Sequence, residues 1–192
     1  MDENIAILHQ AIKSAIMLYA QMARTSEPPP ESFIRDLCAV ELHRNNFWAV
    51  RIEMPARDCA AWGIDRAKLQ HLSRNFLIDM ACFREHGGKS SDLLMLVEFK
   101  LWTNRDTVAK DVARLNELIS LLPDNQGVMG YVVSVPHYEN AAKVREALED
   151  FAEHFMLSRE VAASGEPFPT GADILGPSAG IAIIDVRNHH RS

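Results

Sequence analysis

Positive charge is what this chain of 192 residues lacks first: 20 Lys and Arg stand against 26 Asp and Glu, a formal net charge of −6. That balance argues against a protein that holds nucleic acid by bulk electrostatics, and leaves such contacts to a local basic stripe or a bound cation. Cysteine is scarce. Cys38, Cys59 and Cys82 are odd in number, widely spaced and free of any CxxC pair. This fits buried thiols in a reducing cytoplasm better than a disulfide or zinc framework. The eight histidines contain no HExxH, and His189-His190 falls in a polar terminus read as solvated. No run of 18 apolar residues occurs, so no membrane-spanning helix and no membrane partner is expected. Asp2 and Glu3 stand where a secretory signal would be basic, so no signal peptide is expected. Gly176-Pro-Ser-Ala-Gly180 precedes a strand pattern and lacks the P-loop lysine, which excludes a phosphate loop.

What is present is an ordinary globular composition, 47% apolar and 24% charged, at a length suited to one domain with a substantial core. Residues 4–23 carry apolar side chains at a helical period (5, 8, 12, 15, 16, 19, 22, 23), predicting a helix that packs on the domain or forms a dimer contact. Thr25 to Pro30, TSEPPP, breaks it. Glu31 to Asn45 reads as a second helix with Phe33, Ile34, Leu37, Cys38, Val40 and Leu42 inward. Phe47 to Met54 alternates, with Trp48, Val50, Ile52 and Met54 on one face and Arg51 and Glu53 on the other, predicting the first strand. Residues 55–75 form an insertion with a short helical piece near Asp65 to Leu72 and no assigned role.

Phe76 to Trp102 is two apolar runs joined by a polar, glycine-containing turn, a hairpin pattern. Three charges interrupt it: Asp79 in the first run, Glu98 and Lys100 in the second. Alternation puts Glu98 and Lys100 on one face, roughly 7 Å apart. A turn at Gly88-Lys89 sets Asp79 opposite Glu98; a slip by two residues keeps that face, and a slip by one loses it. Two carboxylates and an ammonium on one face of an apolar hairpin are costly to bury without a cation between the acids. A divalent metal fits, and Mg²⁺ takes carboxylate oxygens while keeping waters for chemistry. A plain salt bridge from Lys100 is the other reading, disfavoured because Leu101 and Trp102 continue the apolar run beyond it.

Arg105 to Leu122 follows as a helix with Val108, Val112, Leu115, Leu118, Ile119 and Leu122 at helical spacing. Lys110, Asp111 and Arg114 are its exposed or site-facing groups; Lys110 and Arg114 are candidate phosphate contacts or part of a solvated face. Pro123 to Gly127 is a turn, Val128 to Val135 a buried strand, Asn140 to Leu157 an amphipathic helix and Ile181 to Val186 a final strand. The order is α-α-β-(insert)-β-β-α-β-α-β, a mixed sheet flanked by helices.

Ile78-Asp79 followed by Val97-Glu98-Phe99-Lys100, with a helix before and a helix and strand after, resembles the PD-(D/E)xK nuclease superfamily. Ile78 stands where that pattern often has proline. The resemblance implies an α/β, three-layer restriction-endonuclease-like core over residues 31–192, with residues 1–24 as an extra N-terminal helix. It implies a Mg²⁺- or Mn²⁺-dependent nuclease, an endonuclease acting on nucleic acid, with DNA the expected polymer and a homodimer compatible with cutting two strands. Asp79, Glu98 and Lys100 would be catalytic. Asp79, Glu98, the carbonyl of Phe99 and a helix glutamate would hold the metal, and Lys100 would hold the attacking water. Pro30-Glu31-Ser32 resembles the opening seen in several such families and favours Glu31 over Glu41; Glu53 is a further candidate if it shares the face of Asp79. Glu31 has an equal claim as a simple complement to the helix dipole. A catalytically inactive relative, acting as an interaction or regulatory domain, is the alternative, and an unrelated α/β protein the third reading.

Overall fold

Two helices separated by prolines open the chain: α1 (Glu3–Ala23) and α2 (Glu31–Asn46). They are seen in a computed structural model that describes residues 3–23, 28–46, 48–69, 76–84, 92–101, 105–122, 127–155, 167–170 and 177–186. The expected turn at Gly88-Lys89, Trp102, the turn residues 123–126 and His189-His190 lie outside these residues. Pro30 starts α2 by presenting its carbonyl to the amides of Phe33 and Ile34; Glu31, in the first turn, complements the positive end of the helix.

The remaining order is β1 (Ala49–Pro55), a 3₁₀ helix (Ala56–Trp62), α3 (Arg66–Leu69), β2 (Leu77–Phe83), β3 (Leu93–Leu101), α4 (Arg105–Ser120), β4 (Met129–Val135), β5 (His137–Tyr138), α5 (Ala141–His154), β6 (Phe168–Pro169), β7 (Ser178–Ala179) and β8 (Ala182–Asp185). The main sheet has five strands in the order β1-β2-β3-β4-β8. Only β3 and β4 are parallel, joined through α4; the other neighbours are antiparallel. A short second sheet, β5-β7-β6, was not legible in the sequence, because two-residue strands carry no periodicity.

Alternation along β3 sorts the core into two layers. Met95, Val97 and Phe99 pack with Ile5, Leu8, Ile12 and Ile16 of α1 and Ile34, Cys38 and Leu42 of α2. Leu96 faces the other way, toward Val108, Val112 and Leu115 of α4 and Phe151 of α5. The chain is thus α/β, with helices on both faces of a mixed sheet. The insertion joins the α4 side: Cys59, Trp62, Ile64 and Leu69 are buried there, Trp62 meets Phe83 edge-on, and Gly63 closes the 3₁₀ helix at φ 85°. All three cysteines are free and buried. No helix among the described residues is long and apolar enough to cross a membrane.

Strand β1 departs from its expected alternation. Val50 packs on the α1–α2 side, but Met54 joins the α4 side and Ile52 is exposed. The cause is Glu53, whose φ of 51° is left-handed and breaks the period of two.

Gly130 on β4 lies where side chains of α4 press against the sheet. A Cβ there would collide with Ile119 and come within 2.6 Å of Val186 Cγ2. Gly130→Val should cost roughly 1–3 kcal/mol by overpacking, seen as a lower urea midpoint; an unchanged midpoint would mean that helix and sheet stand farther apart.

Candidate active site

The site begins with a register. Met80 pairs with Val97, Ala81 with Leu96 and Cys82 with Met95, so the same ladder continued brings Asp79 opposite Glu98. Toward the hairpin tip the pairing shifts between Cys82 and Phe83, and a Gly88-Lys89 turn alone does not account for it. Beyond Met80–Val97 the two strands stop pairing, while β3 stays paired with β4 through Leu101–Val135. The amide of Phe99 donates instead to Asp79 Oδ2 at 2.8 Å. A side chain has replaced a strand as hydrogen-bond partner, and this fixes one carboxylate beside Glu98-Phe99-Lys100.

Glu98 is 1% exposed, its Oε1 lacks a hydrogen-bond partner, and its Oε2 lies 3.6 Å from Arg114 on α4. Burial above all, and next the charge of Asp79, push its carboxyl up to about 9, against the opposing pull of Arg114 and Lys100. Lys100 lies near the end of β3 and reaches a carboxylate from each helical layer: Asp111 of α4 at 3.4 Å and Glu31 of α2 at 4.0 Å. Burial works against its ammonium form, but Glu31, then Asp111, Asp79 and Glu98 outweigh it and raise its pKa. Arg114 bonds Asp111 and lies 3.9 Å from the centre of the Phe76 ring, a cation–π contact.

The remaining sequence candidates separate. Glu31 stands at Lys100, whereas Glu41 is ten residues farther along α2, about 15 Å at helical rise. Glu53 is turned to Arg35 of α2, with which it pairs at 2.9 Å. Of the two candidate phosphate contacts on α4, Lys110 is exposed and Arg114 is at the site. Phe76 beneath Arg114 and the burial of Asp111 were missed. Asp111 had a signal: three residues after Val108 and four before Leu115, it falls within the apolar stripe.

No family model, curated protein or solved structure matches this chain.

Among the described residues, no group of three or more His, Cys, Asp or Glu side chains is arranged to hold a metal ion. The donor set that could serve is smaller: Asp79, Glu98 and the Phe99 carbonyl. It suits Mg²⁺, which keeps several waters and takes one or two carboxylates. An orphaned, deeply buried oxygen on a carboxylate that feels the charge of a second one is what such an ion would satisfy. A separate cavity of about 640 Å³ between α4 and α5 is lined by Arg105, Tyr138, Lys143, Asp150 and Phe151, and by none of the carboxylates above. Its Arg105 and Asp150 already pair with each other.

Glu98 is neutral in the folded protein between its ordinary pKa of 4.5 and about 9, where the unfolded chain has it ionised. The folded state binds the extra proton, so without metal, stability falls as pH rises through this window. Glu98→Gln should flatten that slope and be roughly 1–3 kcal/mol more stable than wild type at pH 8, measured by thermal unfolding from pH 5 to 9. Parallel slopes in the two proteins would contradict the burial of an ionisable Glu98.

Proposed function

We propose that this chain is a Mg²⁺-dependent nuclease, able to use Mn²⁺, with a restriction-endonuclease-like core of the PD-(D/E)xK type and DNA as its expected substrate. The observation that carries the reading is Glu98, buried with an oxygen unsatisfied and near enough to feel the charge of an Asp79 held by the Phe99 amide. The helix–hairpin–helix–strand order around a parallel β3–β4 pair, with Lys100 two residues after Glu98, supports the same reading.

In this mechanism Asp79 and Glu98, with the Phe99 carbonyl, would hold the ion, and Glu31 would orient its waters. When bound, the ion supplies an acidified water and neutralises charge on the phosphate. Lys100 holds the attacking water by hydrogen bonding and stabilises the negative charge that grows on the phosphate oxygens. The water oxygen forms a bond to phosphorus as the ester P–O bond breaks. Its proton passes to solvent, and the departing oxygen takes one back. Arg114 presents a second cation to the same phosphate. Asp79 keeps its geometry because one oxygen stays committed to the backbone.

A specific observation favours the inactive-relative alternative: Arg114 already stands 3.6 Å from Glu98 and could serve as a permanent counter-ion. Titration calorimetry separates the two readings. Under the nuclease reading, Mg²⁺ or Mn²⁺ binds at pH 7.5 with release of about one proton, because Glu98 must ionise to become a ligand. Asp79→Ala should weaken that binding at least about tenfold, roughly 1.4 kcal/mol. Equal, feeble binding in both proteins with no proton release would leave the interaction domain as the reading.

A further inference from the structure

We propose that Asp111 is the positioning residue of this site, a single buried carboxylate that holds Lys100 and Arg114 together toward the substrate phosphate. What the two cations act on rests on the nuclease reading; that Asp111 orders them does not.

The geometry is that of a bridge. Asp111 is 5% exposed. Its Oδ1 accepts a hydrogen bond from Arg114, and its Oδ2 faces Lys100 Nζ at 3.4 Å without making a hydrogen bond. Lys100 comes from a strand and Arg114 from a helix, and Asp111 is the carboxylate that the two share. Each cation has a weaker second anchor: Glu31 at 4.0 Å for Lys100, Glu98 at 3.6 Å for Arg114. Phe76 sets the plane of the guanidinium from below. Packing does not call for an acid at this position, since an apolar residue would continue the stripe of Val108, Val112 and Leu115. An ionised side chain buried there is costly unless its partners are fixed. Glu98 Oε1, Asp111 Oδ2 and Arg114 Nε are buried without hydrogen-bond partners, so the charges of the cluster are brought together without saturating one another.

The test is Asp111→Asn, which keeps shape and removes charge, with Asp111→Glu as the conservative variant. Side-chain ¹H–¹⁵N NMR, recorded without metal, should show ordered Lys100 ammonium and Arg114 Nε signals in the wild type and their loss in D111N, at an unchanged or higher melting temperature. In steady-state cleavage of a DNA duplex with Mg²⁺, D111N should lose about 10- to 100-fold in kcat with KM within about threefold, and D111E should recover part of it. Ordered Lys100 and Arg114 signals in D111N, or a kcat within twofold of wild type, would overturn the proposal. If D111N does not fold, Asp111→Ser carries the same two readouts. A wild type that cleaves nothing defeats the nuclease reading, and the NMR comparison then decides the positioning role by itself.

Discussion

Where β2 stops pairing with β3, the Phe99 amide needs a new acceptor, and the Asp79 carboxylate takes it at 2.8 Å. A buried amide left unpaired costs about as much as a lost hydrogen bond, so the sheet itself enforces the position of Asp79. The strand that diverges gives up its place on the Phe99 amide, and the side chain that takes it brings a negative charge near the buried Glu98. The rest of the site follows from that juxtaposition. The charge of Asp79 on the adjacent strand adds to the cost of ionising Glu98, and β3 and α4 answer with Lys100 and Arg114.

The answer is only partial. Two cations with Asp79, Glu98, Asp111 and Glu31 leave the cluster two charges short of neutrality if every acid is ionised, and the rise of the Glu98 carboxyl to about 9 is one way of relieving this. A dication is the other. The same orphaned oxygen therefore connects three levels: the divergence of two strands, a pH-dependent stability cost and, under the proposed reading, an affinity for a hard cation. Arg114 stands between these states. Its bond to Asp111 and its seat on Phe76 keep it at the site whether or not Glu98 is charged.

Much of this arrangement was legible in the sequence, because β strands and amphipathic helices advertise their period. That Asp79 comes beside Glu98 follows from the two-residue alternation, although β2 and β3 stop pairing one residue short of them and the hairpin carries a register shift. The helices at Glu31 and Arg105 follow from the prolines and from the Val108–Leu115 stripe. Other features were hidden for identifiable reasons. Glu53 reads as an ordinary outward strand residue, and only a left-handed backbone turns it to Arg35. Asp111 reads as part of a charged face beside Lys110 and Arg114, although its spacing puts it within the apolar stripe. Phe76 reads as core, and its role under a guanidinium depends on a contact between distant segments. The second sheet is too short to leave a pattern.

The central claim is that Asp79 and Glu98 form a cation site. The most direct measurement is paramagnetic broadening of backbone amide signals by substoichiometric Mn²⁺ in ¹⁵N-labelled protein. The account predicts that signals at Asp79, Glu98, Phe99 and Lys100 broaden first, and that excess Mg²⁺ restores them. Broadening confined to exposed acids such as Glu139 and Glu153, with Phe99 untouched, would contradict it.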